Sequence, residues 1–576
     1  MNIRIAGLVA LSLAMLGALV AYYPQLADDA DIWWHLEYGR AVLRSLDWRI
    51  DHAAYSWTPA DGSWIYVSWL GSLILYAAYR IAGLAGLGLL QWLVFGGIVC
   101  VYGRLLHLGR LNWSVLHVAI LFLAGLTINP VALYIKPELF SHLMFAAVTA
   151  LFFAVRLTGM NSLYWIYAPL FLVWVNIHGG FVYGLAFLGL AWCAETLCLA
   201  RQHEDKNAGP AWKIFTMSIL LAAAATLVNP HGWHYWAGIL ENALSGGGHA
   251  RVIAAYAGFQ AYLVPPPFEF RKMNAGWGLL IMLLSLAGLM AHVYVTRRKF
   301  DRGVALSNLV FFTAGFFMIR ASGYFVVLWM LSVVYIMASG GVRVSSPTRR
   351  LCLAGAAIAA VVILAESALL SPSRAYWGRG TASLVPDGAV EFTRRNSLPA
   401  PLFNDYTTGG YLIWALYPDY KVFIDPRYGP YVKTGVWDAY ARLETSGSQE
   451  MLAILASSYG FQSAIISTIN APSVADLFLF SPRWRMVYFD AAAAVFVKMP
   501  QGETRRWQGD MTPQRFAATS NPDVLARLFA LYCLYNPADA AVIRDIYARN
   551  VSKAFVYRKR HLAWMQETIS RFHAAR

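Results

Sequence analysis

The sequence has few charged residues for its length. Asp, Glu, Lys and Arg together make up 13% of the 576 residues, whereas 58% are hydrophobic. Soluble domains carry roughly 25% charged residues, so this scarcity argues against a soluble enzyme and predicts a polytopic membrane protein. Aromatic residues reach 15%, with 22 Trp, as the aromatic belts at the two membrane surfaces require.

Cysteine is also scarce, and several catalytic motifs are missing. The chain has 5 Cys, none of them in a C-x-x-C pair, so neither a disulfide framework nor a zinc site is indicated. It contains no P-loop, no G-x-S-x-G motif, no internal repeat and no low-complexity tract. These absences argue against P-loop nucleotide chemistry and against an α/β-hydrolase.

The net charge of +15 is high, but its distribution does not favour nucleic acid as a partner. The basic residues are spread over short loops between apolar runs. This is the pattern of topology signals and of contact with anionic membrane lipids.

Eleven apolar runs predict membrane spans. The first, after Arg4, predicts an uncleaved signal anchor rather than a cleavable signal peptide. A further run at 65–80 is short, aromatic and closed by Arg80, so we expect it to lie on or re-enter the outer surface. The eleven runs are 5–23, 86–103, 115–130, 138–155, 162–178, 180–199, 213–229, 276–295, 304–319, 322–340 and 351–370.

The charge bias of the loops sets the predicted orientation. Beyond residue 84 and before residue 370, thirteen Lys and Arg fall in loops of one side and five on the other. Cytoplasmic loops carry the excess of Lys and Arg, which places the N-terminus in the cytoplasm. An odd number of spans then places the C-terminal region outside.

Three domains are predicted from these patterns. Residues 1–370 form the transmembrane domain, with 24–84 as its first outer loop. Residues 371–500 form an extracytoplasmic α/β domain, and 501–576 a basic helical tail. Strands are expected at 403–406, 421–425, 463–467, 485–490 and 493–498, and helices at 387–396, 437–445, 449–459 and 472–480.

Polar residues gather at the predicted outer ends of the spans. Taken singly, each of these features has a structural explanation. Asn-Pro and His-Gly-Gly suit turns, and an Arg at a helix end can extend to the membrane–water interface. Their coincidence on one side predicts an outward-facing polar cavity roofed by the α/β domain. The residues are Asp29, Asp31 and His35 in the first outer loop, then Lys136, Glu138, His178, His231 and Arg320.

This set fits transfer of a sugar from a polyprenyl-phosphate donor to an acceptor hydroxyl. Asp31 would deprotonate the acceptor as a general base. Arg320, with Lys136, would neutralise the leaving phosphate. Aromatic side chains such as Trp34 can stack on sugar rings, and a cavity open to lipid admits an isoprenoid chain.

The sequence resembles the bacterial integral-membrane glycosyltransferases of the GT-C superfamily over about residues 20–498. The residues that carry the resemblance are Asp29-Ala-Asp31-Ile-Trp33-Trp34-His35, Asp51…Ser56-Trp-Thr58, Trp64…Ser68-Trp69-Leu70, Asn176-Ile-His178-Gly179-Gly180, Asn229-Pro230-His231-Gly232, Asn404-Asp405…Gly409-Gly410-Tyr411 and Phe423-Ile-Asp425-Pro-Arg427.

The resemblance implies a GT-C-like bundle of about eleven spans and an inverting transferase that uses a lipid-phosphate sugar. Asp29 or Asp31 would fill the acidic position of the first loop, and Asp31 is preferred because it leads into the Trp-Trp-His run. Asp405 and Tyr411 are similar to the acidic, aromatic and glycine motif of oligosaccharyltransferases, without its double tryptophan.

Two other functions remain open on the sequence. One is a transporter or flippase for lipid-linked sugars, and the other is a non-catalytic polysaccharide-assembly protein. Asp29 and Asp31 are compatible with a divalent cation, Mg²⁺ or Mn²⁺, as cofactor. The expected location is the bacterial inner membrane, with membrane lipids, the sugar donor and a glycan, lipid or protein acceptor as partners and no nucleic acid.

Overall fold

The chain forms two compact units in a computed structural model. The helical unit comprises Met1–Pro24, Val42–Arg49 and Ile65–Leu364, and the α/β unit comprises Gln25–Ala41, Ile50–Trp64 and Ala365–Arg576. The structure describes residues 30–132, 135–199, 208–244, 270–296, 301–342, 385–499, 511–553 and 557–574, together with isolated positions between 345 and 361.

Apolar helices build the helical unit, as the long hydrophobic runs predict. A 3₁₀ segment, Asn161–Ile166, leads into α5. The helices are α2 Trp69–Leu108, α3 Val115–Ala132, α4 Glu138–Thr158, α5 Tyr167–Ile177, α6 Phe181–Leu199, α7 Ala208–Ala225, α8 Trp233–Leu244, α9 Phe270–Val295, α10 Arg302–Phe317 and α11 Ile319–Gly340.

Helix α2 contains the predicted short run and the next predicted span in one element. Its backbone leaves helical geometry at Ala82 (φ −142°, ψ 21°) and Gly83 (φ 57°, ψ −141°). A positive φ of this kind is tolerated by glycine, which has no Cβ. The break therefore separates residues 69–81 from 84–108, close to the boundary that the sequence pattern sets.

Four described helical segments are long and apolar enough to cross a membrane: Trp69–Leu108, Glu138–Thr158, Gly278–Val295 and Arg320–Gly340. Shorter apolar segments lie at Leu116–Ile128, Phe181–Leu197, Gly209–Ala225 and Arg302–Phe317. The predicted class, a polytopic helical membrane protein with a small C-terminal α/β region, is confirmed. The predicted spans at 5–23 and, for most positions, 351–370 lie outside the described residues, so the count of eleven stays a prediction.

The α/β unit contains a four-stranded mixed sheet in the order β1-β2-β4-β3. Its strands are β1 Leu402–Asn404, β2 Ser463–Ser467, β3 Trp484–Phe489 and β4 Ala493–Lys498. Strands β1 and β2 are parallel, whereas β4 pairs antiparallel with β2 and β3. The strand expected at 421–425 is not formed; Val422 makes only an isolated bridge, to Ser56.

The helices predicted at 387–396, 437–445, 449–459 and 472–480 are formed in this unit, and further helices lie at positions where none was predicted. The unit begins with α1 Asp31–Ser45, which belongs to it up to Ala41. The remaining helices are α12 Asp387–Asn396, α13 Tyr406–Leu416, α14 Gly429–Val432, α15 Val436–Ser446, α16 Gln449–Tyr459, α17 Pro472–Leu479, α18 Pro522–Tyr535, α19 Pro537–Asn550 and α20 Arg558–Ala574.

The basic tail shares the hydrophobic core of the sheet. Leu528 and Phe529 of α18, Ile543 of α19 and Met565 of α20 are buried in one cluster with Phe496 of β4. Burying an apolar side chain of this size contributes about 1.5–3 kcal/mol. The tail helices are therefore part of the α/β unit's core.

Backbone hydrogen bonds join the first outer loop to this unit. Trp57 N–H donates to the Val422 carbonyl at 3.1 Å, and Val422 N–H donates to the Tyr55 carbonyl at 3.0 Å. The Thr58 hydroxyl donates to the Phe423 carbonyl at 2.7 Å. The backbone of Val422 therefore pairs with the loop, whereas Phe423 and Ile424 bond to β1 only through the side chain of Asn404. Residues 421–425 consequently do not join the sheet as a strand.

Candidate functional site

Asp31 lies in the first turn of α1 and is half-buried. The Trp34 indole Nε1–H donates to Asp31 Oδ1 at 3.1 Å. A carboxylate in the first turn of a helix interacts favourably with the positive end of the helix dipole. Asp31 is thus an oriented carboxylate that can accept a proton. Asp29 lies outside the described residues.

The aromatic residues after Asp31 are buried in the α/β unit. Trp34 and His35 have ring centroids 3.5 Å apart and are 4% and 1% exposed. Trp33 packs edge-on against Tyr411 at 4.9 Å. Tyr411 donates its hydroxyl to Asp387 and is itself largely buried. Little of the surface of these rings is open to a ligand. Their packing instead holds α1 in place.

Close approach of α13 to the start of α1 depends on Gly410. A Cβ at Gly410 would lie 2.5 Å from the Ala30 carbonyl oxygen and 3.5 Å from Trp34. A Cβ at the neighbouring Gly409 would lie 2.1 Å from the Ile424 carbonyl oxygen. The Gly-Gly pair therefore allows α13 to contact Ala30, just before α1, on one side and the 421–425 segment on the other.

A buried ion pair ties α1 and the loop after it to the 421–425 segment. Arg427 donates to Asp425 from Nε at 2.7 Å and from Nη2 at 2.6 Å, and both side chains are 0% exposed. Arg427 Nη1 also donates to Tyr38 Oη at 3.2 Å and to the His52 carbonyl. Burial raises the pKa of Tyr38, so its hydroxyl stays protonated.

Asp405 is the N-cap of α13 and is fully buried. Its Oδ1 accepts the backbone N–H groups of Thr407 and Thr408 at 3.0 and 3.1 Å. Its Oδ2 accepts the Ser467 N–H at 2.7 Å. These contacts are those of a capping residue, and they connect α13 to the end of β2.

The helical unit has its own cluster of charged and polar residues where α4 and α11 begin. Glu138 is the first residue of α4, and Lys136 Nζ lies 3.9 Å from its carboxylate. The positive charges of Arg320 and Lys136, together with His178, act on Glu138. The structure thus brings together four residues that the sequence predicts for one site, in this unit.

Three further residues of this cluster carry no individual role in the sequence prediction. His142 follows Glu138 by one helical turn, is 0% exposed and stacks on Tyr324 with centroids 4.8 Å apart. Ser141 contacts Nδ1 of His178 at 3.0 Å. Spacing of i, i+3 and i+4 from Glu138 places Ser141 and His142 on one helix face, a signal that could have identified them.

His231 lies in the turn after α7. Its backbone N–H donates to Asn229 Oδ1 at 2.9 Å. Burial, with the charges of Arg49 and His234, lowers the pKa of His231, so the ring is neutral at pH 7. The Asn176 side chain donates to the Val228 carbonyl at 2.9 Å, which places this turn beside the segment that leads to His178.

The described residues do not supply a complete metal site. No group of three or more His, Cys, Asp or Glu side chains in that part of the chain could hold a metal ion. Asp31 is described, but its expected partner Asp29 is not. The divalent cation therefore stays a prediction, and no step below is derived through a metal.

Comparison with known proteins gives distant structural likenesses. No protein-family model matches the chain, and no similar sequence was found among characterised proteins. The solved structures that it resembles include ArnT from Cupriavidus metallidurans bound to undecaprenyl phosphate, with 12% identity and a TM-score of 0.45, covering 86% of this chain and 98% of that one.

A second likeness is to the archaeal oligosaccharyltransferase AglB from Archaeoglobus fulgidus, in complex with an inhibitory peptide and a dolichol-phosphate. Its identity is 11% and its TM-score 0.47, covering 98% of this chain and 86% of that one.

Proposed function

We propose that the chain is a membrane glycosyltransferase. It moves a sugar from a polyprenyl-phosphate donor to a hydroxyl of an envelope glycan, lipid or protein. The observation that carries this proposal is the cluster of Lys136, Glu138, His178 and Arg320 at the ends of apolar helices. Ionisable groups near the membrane are costly and mark substrate sites when they persist.

The charge of the cluster suits a lipid-linked phosphate. Lys136 and Arg320 supply two positive charges and Glu138 one negative charge, which leaves one positive charge in excess. A sugar phosphodiester carries one negative charge. An Arg fork can hold two of its oxygens at once, and the surrounding apolar helices suit an isoprenoid chain.

Asp31 serves the acceptor in the proposed reaction. It takes the proton of the acceptor hydroxyl as the acceptor oxygen forms a bond to the anomeric carbon of the sugar. The bond from that carbon to the phosphate oxygen breaks, and its electron pair leaves with the phosphate. A positioned general base contributes about 10² to 10⁴ in rate, while Lys136 and Arg320 stabilise the charge on the leaving phosphate.

The other predicted site residues are proposed to act through the position of Asp31 or to line the donor site. Trp34 orients Asp31 directly, and His35 packs on Trp34. Tyr411 and Asp405 hold α13, which contacts the start of α1. His231, neutral and half-buried, is proposed as a further contact for the donor.

The sequence resemblance to GT-C enzymes supports the same reaction and implies inversion at the anomeric carbon. The bias of Lys and Arg among the loops supports a site on the outer face of the bacterial inner membrane, with the N-terminus in the cytoplasm.

The test uses purified full-length protein in lipid nanodiscs. Radiolabelled sugar is followed from a panel of polyprenyl-phosphate sugars to water or to crude envelope acceptors, with EDTA, Mg²⁺ and Mn²⁺ in parallel. We compare wild type with Asp31→Asn, Arg320→Met and a control, Asp419→Asn, which alters an exposed carboxylate of the same unit as Asp31. Binding of the donor is measured separately from transfer.

Asp31→Asn is expected to lower transfer about 10² to 10⁴-fold while donor binding and thermal stability stay unchanged. Arg320→Met is expected to weaken donor binding, and the Asp419 control to behave as wild type. Saturable donor binding without transfer of any sugar would refute the transferase and favour a carrier. Normal transfer by Asp31→Asn would remove Asp31 as the base.

A further inference from the structure

The hydrogen bonds around His178 fix which of its ring nitrogens carries a proton. Gly180 N–H lies 3.0 Å from His178 Nδ1. A backbone N–H can only donate, so Nδ1 must be the unprotonated acceptor. The proton of the ring is therefore on Nε2, and the ring is neutral.

A second hydrogen bond reaches Nδ1 from Ser141. Trp174 Nε1–H donates to Ser141 Oγ at 2.9 Å, and Ser141 Oγ lies 3.0 Å from His178 Nδ1. An indole N–H can only donate, so Ser141 Oγ accepts from Trp174. Because the Gly180 N–H already makes Nδ1 an acceptor, the Ser141 hydroxyl is the donor in its contact with Nδ1. Ser141 and Trp174 are both 0% exposed, which keeps water from replacing either bond.

The His178-Gly179-Gly180 sequence is what allows this arrangement. A Cβ at Gly180 would lie 2.6 Å from Ser141 Oγ and 2.4 Å from Tyr324 Oη. Only glycine leaves room for the backbone to approach Ser141 while presenting its N–H to the ring. The motif therefore serves the imidazole as well as the turn between α5 and α6.

The remaining nitrogen, Nε2, makes no hydrogen bond with any described residue, although the side chain is only half-buried. The charges of Glu138, Lys136 and Arg320 all act on this ring. An N–H donor thus lies beside the cluster that is proposed to hold a phosphate.

We propose that His178 is a neutral hydrogen-bond donor, through Nε2–H, to a phosphate oxygen of the lipid-linked donor. It is neither a proton acceptor nor a cation in the reaction. The inference rests on the proposed function for the identity of the ligand, but the tautomer follows from the contacts of Nδ1 alone.

The competing explanation is that the His178 ring only supports the turn between α5 and α6. The turn needs just the acceptor at Nδ1, and an Asn side chain commonly accepts the backbone N–H two residues further on. His178→Asn therefore keeps an acceptor near Nδ1 and removes the Nε2 donor. His178→Gln does the reverse, because its longer side chain carries an NH₂ group to the Nε2 position. His107→Asn, at an exposed site near the end of α2, is the control.

Binding of a short-chain polyprenyl phosphate to the full-length protein in nanodiscs is measured for each variant, with thermal stability alongside. One hydrogen bond to a charged group corresponds to about 10- to 100-fold in affinity. His178→Asn should lose about that much with its melting temperature unchanged. His178→Gln should bind within a few-fold of wild type but melt earlier. Equal binding by His178→Asn and wild type would overturn the proposal.

The tautomer is tested without substrate by solid-state NMR of ¹⁵N-histidine-labelled protein, with His178→Asn identifying the resonances. Nδ1 should appear unprotonated and Nε2 protonated from pH 5.5 to 8. A proton on Nδ1 at any pH in that range would overturn the inference. If no sugar is transferred but phosphate binding follows this order of variants, the transferase fails while the His178 assignment stands.

Discussion

Replacing Arg427 with Met is expected to destabilise the α/β unit and release the first outer loop with it. The side chain is 0% exposed and makes two hydrogen bonds to Asp425. Without Arg427, the Asp425 carboxylate would be left buried without its cation. Removing one partner of a buried pair costs about 3–5 kcal/mol. Domain stabilities are about 5–15 kcal/mol, so the loss is a large share of the total.

Arg427 also binds Tyr38 of α1 and the carbonyl of His52, which makes the effect extend beyond its own segment. We would measure hydrogen exchange by mass spectrometry on the full-length protein in detergent. Backbone amides at 31–41 and 50–58 should lose protection together with those at 402–432. The expected increase in exchange rate is about 10² to 10⁴-fold, from the same 3–5 kcal/mol.

Arg395→Met is the matched control. Its ion pair with Glu391 has side chains 66% and 51% exposed, and exposed pairs contribute under about 1 kcal/mol. Adding Asp425→Asn to Arg427→Met should recover part of the loss, because no buried charge is then left uncompensated. Unchanged protection at 31–41 in Arg427→Met would show that the ion pair does not hold α1, and would refute the reasoning.

Two further substitutions test other close contacts. Gly410→Ala would place a Cβ 2.5 Å from the Ala30 carbonyl oxygen. This overpacking should lower the free energy of unfolding by about 1–3 kcal/mol and reduce transfer. The control is Gly62→Ala, whose Cβ would have its nearest neighbour at 4.0 Å and which should leave melting temperature and transfer unchanged. Arg156→Met removes the cation that lies 2.7 Å from the Glu195 carboxylate and 3.9 Å from that of Asp301 in the helical unit. We expect the free energy of unfolding, measured by denaturant titration, to fall by about 1–3 kcal/mol. An unchanged midpoint would contradict this expectation.

Local patterns were sufficient to predict many helices. The run at 138–155 became Glu138–Thr158, and the one at 180–199 became Phe181–Leu199. In the α/β unit, the helices predicted at 387–396 and 449–459 have the same bounds in the structure. Helix hydrogen bonds join residues four apart, so composition and periodicity within a short window carry the information.

Nonlocal pairing explains where local patterns were insufficient. The segment at 421–425 has the β-branched and aromatic residues of a strand, yet the backbone of Val422 pairs with Tyr55 and Trp57 of the first loop. Strand propensity indicates that a segment will be extended, but tertiary packing decides which segment its backbone hydrogen bonds join.

For the candidate site, the sequence by itself determined the chemistry: a carboxylate after the first apolar run, and Lys136, Glu138, His178 and Arg320 at the ends of later runs. Only the tertiary structure decided how these groups are held. The hydrogen bond between Arg427 and Tyr38 spans 389 positions of the chain, and His178 Nδ1 contacts the hydroxyl of Ser141, 37 positions away. Such contacts depend on the packing of whole helices and strands, because no local periodicity encodes which distant side chains meet.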